Sequence, residues 1–168
     1  MMRLSGWYAT READISEVLE YYHKHGLELF PAAIDFFKSF YGLAANCSSL
    51  ECGIYKEFFF TLFPEDDDAW HNVSNIMYED GIIDCPSDDY CRVQYKAQEN
   101  VLLVGCIGFY YPADVWIGES SKLYATHEYE LELRVFDNIF QLIHMELLTN
   151  LPTAITCSLP IIANNPRA

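Results

Sequence analysis

The side chains able to do chemistry in this chain are plentiful, but their spacing is not that of a reactive centre. His23 and His25 stand two residues apart on a helical stretch, which turns them to different faces. His71, His127 and His144 have no evident nucleophile or ligand partner, so each reads as a surface or hydrogen-bonded histidine. The six cysteines are Cys47, Cys52, Cys85, Cys91, Cys106 and Cys157. Their closest spacings, Cys47-x4-Cys52 and Cys85-x5-Cys91, are longer than the Cys-x2-Cys hook of a zinc ribbon. Cys106 lies in the apolar run from Val101 to Phe109, the setting of a small buried hydrophobe. The run Glu65-Asp66-Asp67-Asp68 has calcium-binding oxygens but lacks the alternating Asp-x-Asp-x-Asp-Gly of a wrapped loop, so it reads as a solvated loop. There is no phosphate-binding glycine loop and no Gly-x-Ser-x-Gly elbow. The expectation is a binder rather than an enzyme, with no catalytic residue, no cofactor and no metal.

Charge says more about what it binds. The 25 acidic residues outnumber the 10 basic ones, for a formal charge of −15. Such a surface repels nucleic acid phosphates and anionic lipid, and it attracts cationic partners. Acidity also serves plain solubility, so it is compatible with a basic protein partner without requiring one. The candidate contact residues are Glu65, Asp66, Asp67 and Asp68, the pair Asp88 and Asp89, and the set Glu128, Glu130 and Glu132. Tyr110 and Tyr111 are candidate aromatic anchors among them. No apolar run reaches the ~20 residues of a membrane-spanning helix. The start from Met1 to Trp7 lacks the apolar stretch of a secretory signal, so the expected location is cytoplasmic, where disulfides are not anticipated.

The elements that must position these residues follow from periodicity. Asp14 with Glu17 three residues on makes a capping-box-like start to a helix whose Ile15, Val18, Leu19 and Tyr22 share a face, with Gly26 as its stop. A second helix begins at Pro31, presents Ala33, Phe36, Phe37 and Phe40, and ends at Gly42. Ile54 to Phe63 reads as a buried strand, and Asp68 as the cap of a helix carrying Trp70, Val73 and Met77. Val101 to Val104 reads as a core strand stopped by Gly105 and Gly108. Ala113 to Ile117 and Lys122 to Ala125 read as a strand pair joined across Gly118 to Ser121.

Farther on, period-two alternation from Glu128 to Leu133 predicts a half-buried strand with an acidic face. A closing helix is expected over Val135 to Thr149, with Phe136, Ile139, Phe140, Ile143 and Leu147 as its stripe. This order predicts an α+β fold, a mostly antiparallel sheet flanked by helices. It forms a single domain over 1–150, with a possible insertion at 84–100 and a loose C-terminal tail at 151–168.

Several of these positions form one ordered signature. Gly6-Trp7-x-x-x-Arg11-x-x-Asp14-Ile15 is followed by Phe37-x-x-Phe40-Tyr41-Gly42-Leu43, then by Ala113-x-Val115-x-Ile117-Gly118 and Lys122-Leu123-Tyr124. Trp7 is costly to leave exposed and Arg11 is a good partner for its face, which suggests an N-terminal plug. The whole resembles a SUKH-3 domain, a branch of the SUKH superfamily that includes the yeast cell-wall-synthesis regulator. The resemblance covers roughly residues 4–149. It implies an α+β fold and, in bacteria, an immunity protein that binds and neutralises a toxin domain, often a nuclease, of a polymorphic toxin system. It supplies no catalytic residues, and its characteristic positions, Gly6, Trp7, Arg11, Gly42 and Leu43, read as structural. The expected partner is thus a basic protein toxin domain, with no direct nucleic acid or membrane contact; the alternative is an intracellular regulatory adaptor or scaffold of the same fold.

Overall fold

The alternation written into residues 101–125 becomes the centre of a broad antiparallel sheet. A computed structural model describes residues 2–3, 5–24, 29–49, 55–60, 88–108, 112–127, 130, 132–148 and 155–158. Among them are strands β1 (Leu43–Ser49), β2 (Tyr55–Phe60), β3 (Val101–Gly108), β4 (Ala113–Gly118), β5 (Leu123–Thr126), β6 (Arg134–Phe136) and β7 (Ile155–Ser158). Their spatial order is β6-β5-β4-β3-β2-β1-β7, and every neighbouring pair is antiparallel. Six strands therefore follow one another as a meander, and the seventh returns to the free side of β1. The helices are α1 (Ser16–Lys24), α2 (Pro31–Phe40), α3 (Asp88–Ala97) and α4 (Ile139–Ile143), the last running into a π-helical turn at His144–Leu148. The α+β expectation holds.

One face of the sheet carries the main core. Leu43, Phe58, Phe60, Val115, Ile117 and Leu123 project from it onto Val18 and Tyr22 of α1, Phe36 and Phe37 of α2, and Leu142 and Ile143 of α4. α1 starts where expected, because Asp14 Oδ1 accepts from Ser16 N at 3.0 Å and from Ser16 Oγ at 2.6 Å. Those bonds hold the Asp14 carboxyl below its ordinary range. The buried stripe is narrower than predicted, however, since Leu19 is 43% exposed. A nine-residue helix touches the sheet along one line, and Leu19 lies off it. α2 matches its prediction, with Pro31 in the first turn, and the chain leaves it through Gly42 at φ +73. There Gly42 N donates to Phe60 O at 2.7 Å, joining the helix end to β2. A left-handed residue is needed at that step, and glycine takes it without a side-chain clash.

The other face holds a smaller cluster, and it gives residues 88–100 of the polar stretch a place. Within that stretch α3 lays Val93 and Ala97 against Val101, Leu103, Trp116 and Tyr124, while Trp116 Nε1 donates to Thr126 Oγ1 at 3.1 Å. The sequence there is mostly polar because only one narrow side of α3 meets the sheet. Just beyond it, Glu99 accepts from Ser120 N at 2.6 Å, Ser120 Oγ at 2.7 Å and Tyr124 Oη at 2.5 Å, tying the end of α3 to the β4–β5 turn. Burial, with help from that carboxylate, pushes the Tyr124 hydroxyl up to about 12.

Four further expectations are corrected. Gly105 does not stop β3. Val104 and Gly105 together oppose Val115, a β-bulge that kinks the strand and lets it run on to Gly108. Residues 130, 132 and 133 are not in a strand. Glu130 N donates to His127 O at 3.1 Å in a turn, and its carboxylate reaches forward to Arg134, so the ladder begins only at Arg134.

The single closing helix is in fact a strand followed by a helix. Asn138 takes an extended backbone and its side chain accepts from Gln141 N at 3.0 Å, so α4 starts three residues after the expected stripe does. The stripe consequently rotates, burying Leu142 and leaving Phe140 48% exposed. Lastly, the tail expected to be loose contributes β7, which pairs Cys157 with Cys47 and Ile155 with Ser49 in register. The free edge of β1 offers its backbone groups to whichever segment can reach it. The expected helix carrying Trp70, Val73 and Met77 lies outside the described residues, as do Gly26 and Phe63.

Candidate partner-binding surface

The signature residues assemble one side of the molecule. Trp7 stacks on Phe40 with ring centroids 6.3 Å apart and an interplanar angle of 8°, and meets Phe140 at 5.0 Å and 76°. Arg11 does not complete this stack. Its Nη1 donates to Ser39 O at 3.0 Å and its Nη2 to Tyr41 O at 2.6 Å, the carbonyls that close α2. Helix-terminal carbonyls lack intrahelical donors and carry partial negative charge, so a cation finds a better partner there than on an indole face. Ala13 N adds a bond to Lys38 O at 2.7 Å. The N-terminal plug is therefore real, and it is bolted to the end of α2 and propped against α4.

Two adjoining hollows open beside this junction. The first, of about 280 Å³, lies between α2, the β4–β5 turn and the start of α4. Phe36, Phe40, Ile117, Leu123, Ile139 and Phe140 give it an apolar floor, while Asp35 and Asp137 are the ionisable groups on its rim. The second, of about 450 Å³, is lined by Ala9, Thr10, Arg11, Glu12, Asp35, Lys38 and Ser39. Asp35 and Ser39 belong to both, so the two form one continuous concave surface. Asp35, Asp137 and Glu12 are all exposed, and among the described residues the carboxylates of Asp35 and Asp137 have no hydrogen-bonding or ion-pair partner. Phe140, 48% exposed, supplies aromatic area to the first hollow. An apolar floor with unpaired acids and aromatic edges is suited to gripping a cationic surface.

The residues expected to make contact fare unevenly. Glu65, Asp66, Asp67, Asp68, Tyr110, Tyr111 and Glu128 lie outside the described residues. Asp88 and Asp89 lie in the first turn of α3 as described. Glu132 is exposed, whereas Glu130 is not available as a free acid. Both of its oxygens accept from Arg134 Nη2, at 2.7 and 2.8 Å. Arg134 Nη1 also reaches Glu146, at 3.0 and 3.2 Å, and Glu146 in turn lies 3.2 Å from His127 Nε2. Glu146 is only 7% exposed and stands in the π-helical turn. Burial pushes its carboxyl up, but the bonds from His127 and Arg134 outweigh burial and hold it below the usual range. The group is thus an internal ionic clamp between β6 and the last turn, and the acidic face predicted for Glu128, Glu130 and Glu132 is broken at its middle member.

Sequence reasoning missed Glu12, Asp35, Asp137 and Phe140. Asp35 had a readable signal, being the polar position between the buried pairs Ala32–Ala33 and Phe36–Phe37 on α2. Asp137 and Phe140 had none, because their roles depend on the Asn138 cap that starts α4 at Ile139. Among the described residues no three His, Cys, Asp or Glu side chains converge to hold a metal ion, and no helix is long and apolar enough to cross a membrane. Comparison with known protein families, with curated proteins and with solved structures finds no match to the chain.

Proposed function

We propose that this chain is a cytoplasmic immunity protein of the SUKH-3 type, which binds and neutralises a basic toxin domain of the nuclease kind. The observation that carries the reading is the way charge is distributed. Of the few cations, Arg11 is tied to the end of α2 and Arg134 is clamped between Glu130 and Glu146. Meanwhile Glu12, Glu17, Glu20, Asp35, Glu132 and Asp137 face solvent. Arg3, Lys24, Lys96 and Lys122 face solvent as well, so the negative field comes from the excess of acids in a chain at −15. A nuclease must hold a polyanion, so its site is basic. An acidic partner is steered to such a site ~10–1,000-fold faster than a neutral one and can occupy it in place of the nucleic acid.

The sequence resemblance supports the same reading: of its signature residues, Arg11 and Phe40 line the concave surface and Trp7 packs on Phe40. The test is the association rate with the toxin domain encoded immediately upstream, followed as salt rises from 50 to ~500 mM. A rate that falls at least tenfold supports electrostatic capture, since charges are largely screened beyond ~4–5 Å at the upper limit. A salt-independent rate would remove the charge argument and favour the adaptor reading.

A further inference from the structure

We propose that the hollow between α2, the β4–β5 turn and α4 takes an arginine side chain of the partner, its methylenes on the aromatic floor and its guanidinium between Asp35 and Asp137. This deepens the partner-binding reading above and rests on it for the identity of the partner, though not for the chemistry of the pocket.

Three features select that occupant. The first is size. At about 280 Å³ the hollow falls just short of the ~300–1,000 Å³ typical of small-molecule sites, which suits one long side chain. The second is charge. Among the described residues Asp35 and Asp137 are the only ionisable ones lining it, both are exposed, and neither carboxylate has a partner there. Lys38 and Arg11 lie in the adjoining hollow beside Asp35, and Arg11 is already bonded to Ser39 O and Tyr41 O. Among the described residues no cation lines the pocket itself.

The third is the floor. Phe140 is 48% exposed, and its contact with Trp7 holds the ring in the lining of the hollow. A planar, weakly hydrated guanidinium stacks on such a ring and still presents its fork to carboxylates. The ammonium of lysine keeps its water more tightly and has no plane to stack, so arginine is preferred. An anionic or wholly apolar occupant would leave the two carboxylates repelled or unpaired.

The probe is N-acetyl-arginine amide, titrated into the intact protein and followed by amide proton–nitrogen NMR, with the citrulline and lysine analogues alongside. Citrulline keeps the shape and removes the charge. The pocket predicts saturable shifts confined to residues 35–40, 117–123 and 137–140, with arginine binding about fivefold or more tighter than citrulline and lysine in between. Asp137→Asn should weaken the arginine analogue by about fivefold, and Glu17→Gln on the outer side of α1 should leave it unchanged. Equal binding of arginine and citrulline would overturn the proposal. So would shifts spread along Glu17 and Glu20, which would mean general attraction of a cation to an acidic surface. Because the probe is not the toxin, a failed toxin interaction and a failed pocket give different results.

Discussion

Removing Arg11 tests whether the N-terminal segment is held as the structure says. Its guanidinium makes two hydrogen bonds to the carbonyls of Ser39 and Tyr41, at 3.0 and 2.6 Å, from a partly buried position. A hydrogen bond to a charged group contributes ~1.5–3 kcal/mol, and a cation at a helix C-terminus adds ~0.3–1 kcal/mol. Water can reach these carbonyls once the arginine is gone, which returns part of that stabilisation. Arg11→Ala is therefore expected to lose about 2–3 kcal/mol overall. For a chain of this size each kcal/mol moves Tm by ~2–4 °C, so the melting point should fall by roughly 5–10 °C.

Arg11→Lys keeps the charge but not the two-pronged geometry, and should recover about half of the loss. Urea unfolding gives the stability, and hydrogen exchange gives the location. The amide of Ala13, bonded to Lys38 O, should lose protection in Arg11→Ala while the amides of β4 keep theirs relative to global unfolding. A change under ~0.5 kcal/mol with Ala13 still protected would refute the anchoring argument, because surface substitutions without structural consequence fall in that range.

Glu146→Gln should cost about 2–3 kcal/mol at neutral pH, since it leaves the Arg134 guanidinium with only Glu130 and halves the acceptors at a buried site. The folded protein holds this carboxyl below its unfolded value of ~4.3, so its contribution is full above that pH and fades as pH falls through the lower folded value. The gap between wild type and variant, measured by urea unfolding, should therefore be constant from pH 5 to ~7 and close below ~4. A gap that widened in acid would reverse the sign and contradict the clamp. Gly118→Ala would drive its new Cβ into the Glu99 carboxylate, which three hydrogen bonds hold in place. It should destabilise by about 1–3 kcal/mol, and pairing it with Glu99→Ala should give less than the sum of the two single losses. Simple additivity would show that Glu99 is not what the methyl meets.

How far the sequence could be read depended on which scale of interaction decided each element. α2 was legible because Pro31, the aromatic spacing and Gly42 all act within a few residues of one another. The hairpin of β4 and β5 was legible for the same reason, its turn residues lying between two alternating runs. The C-terminal third was not. Periodicity joined Phe136 to Ile139 and Phe140 in one helix, whereas the pairing of β6 with β5 and the Asn138 cap cut that stretch in two.

The acidic set at Glu128, Glu130 and Glu132 looked like a strand face because alternation shows where side chains would point in a strand, not whether one forms. Arg134 decided otherwise by pairing with Glu130 and Glu146. α3 escaped notice because one narrow contact line leaves little apolar signal in its ten residues. The concave surface was half legible. Trp7 and Arg11 read as an anchor, but the acids that face the hollow, Asp35 and Asp137, come together only when α2 and the start of α4 border the same hollow.

The most direct measurement is a survival assay in cells expressing a nuclease toxin domain encoded by a neighbouring gene, with wild-type protein, with Asp35→Asn/Asp137→Asn, and with neither. The account predicts rescue by the wild type, a stable one-to-one complex on purification, and weakened rescue by the double variant at equal protein level. No rescue by folded wild-type protein and no complex with the folded toxin would contradict it.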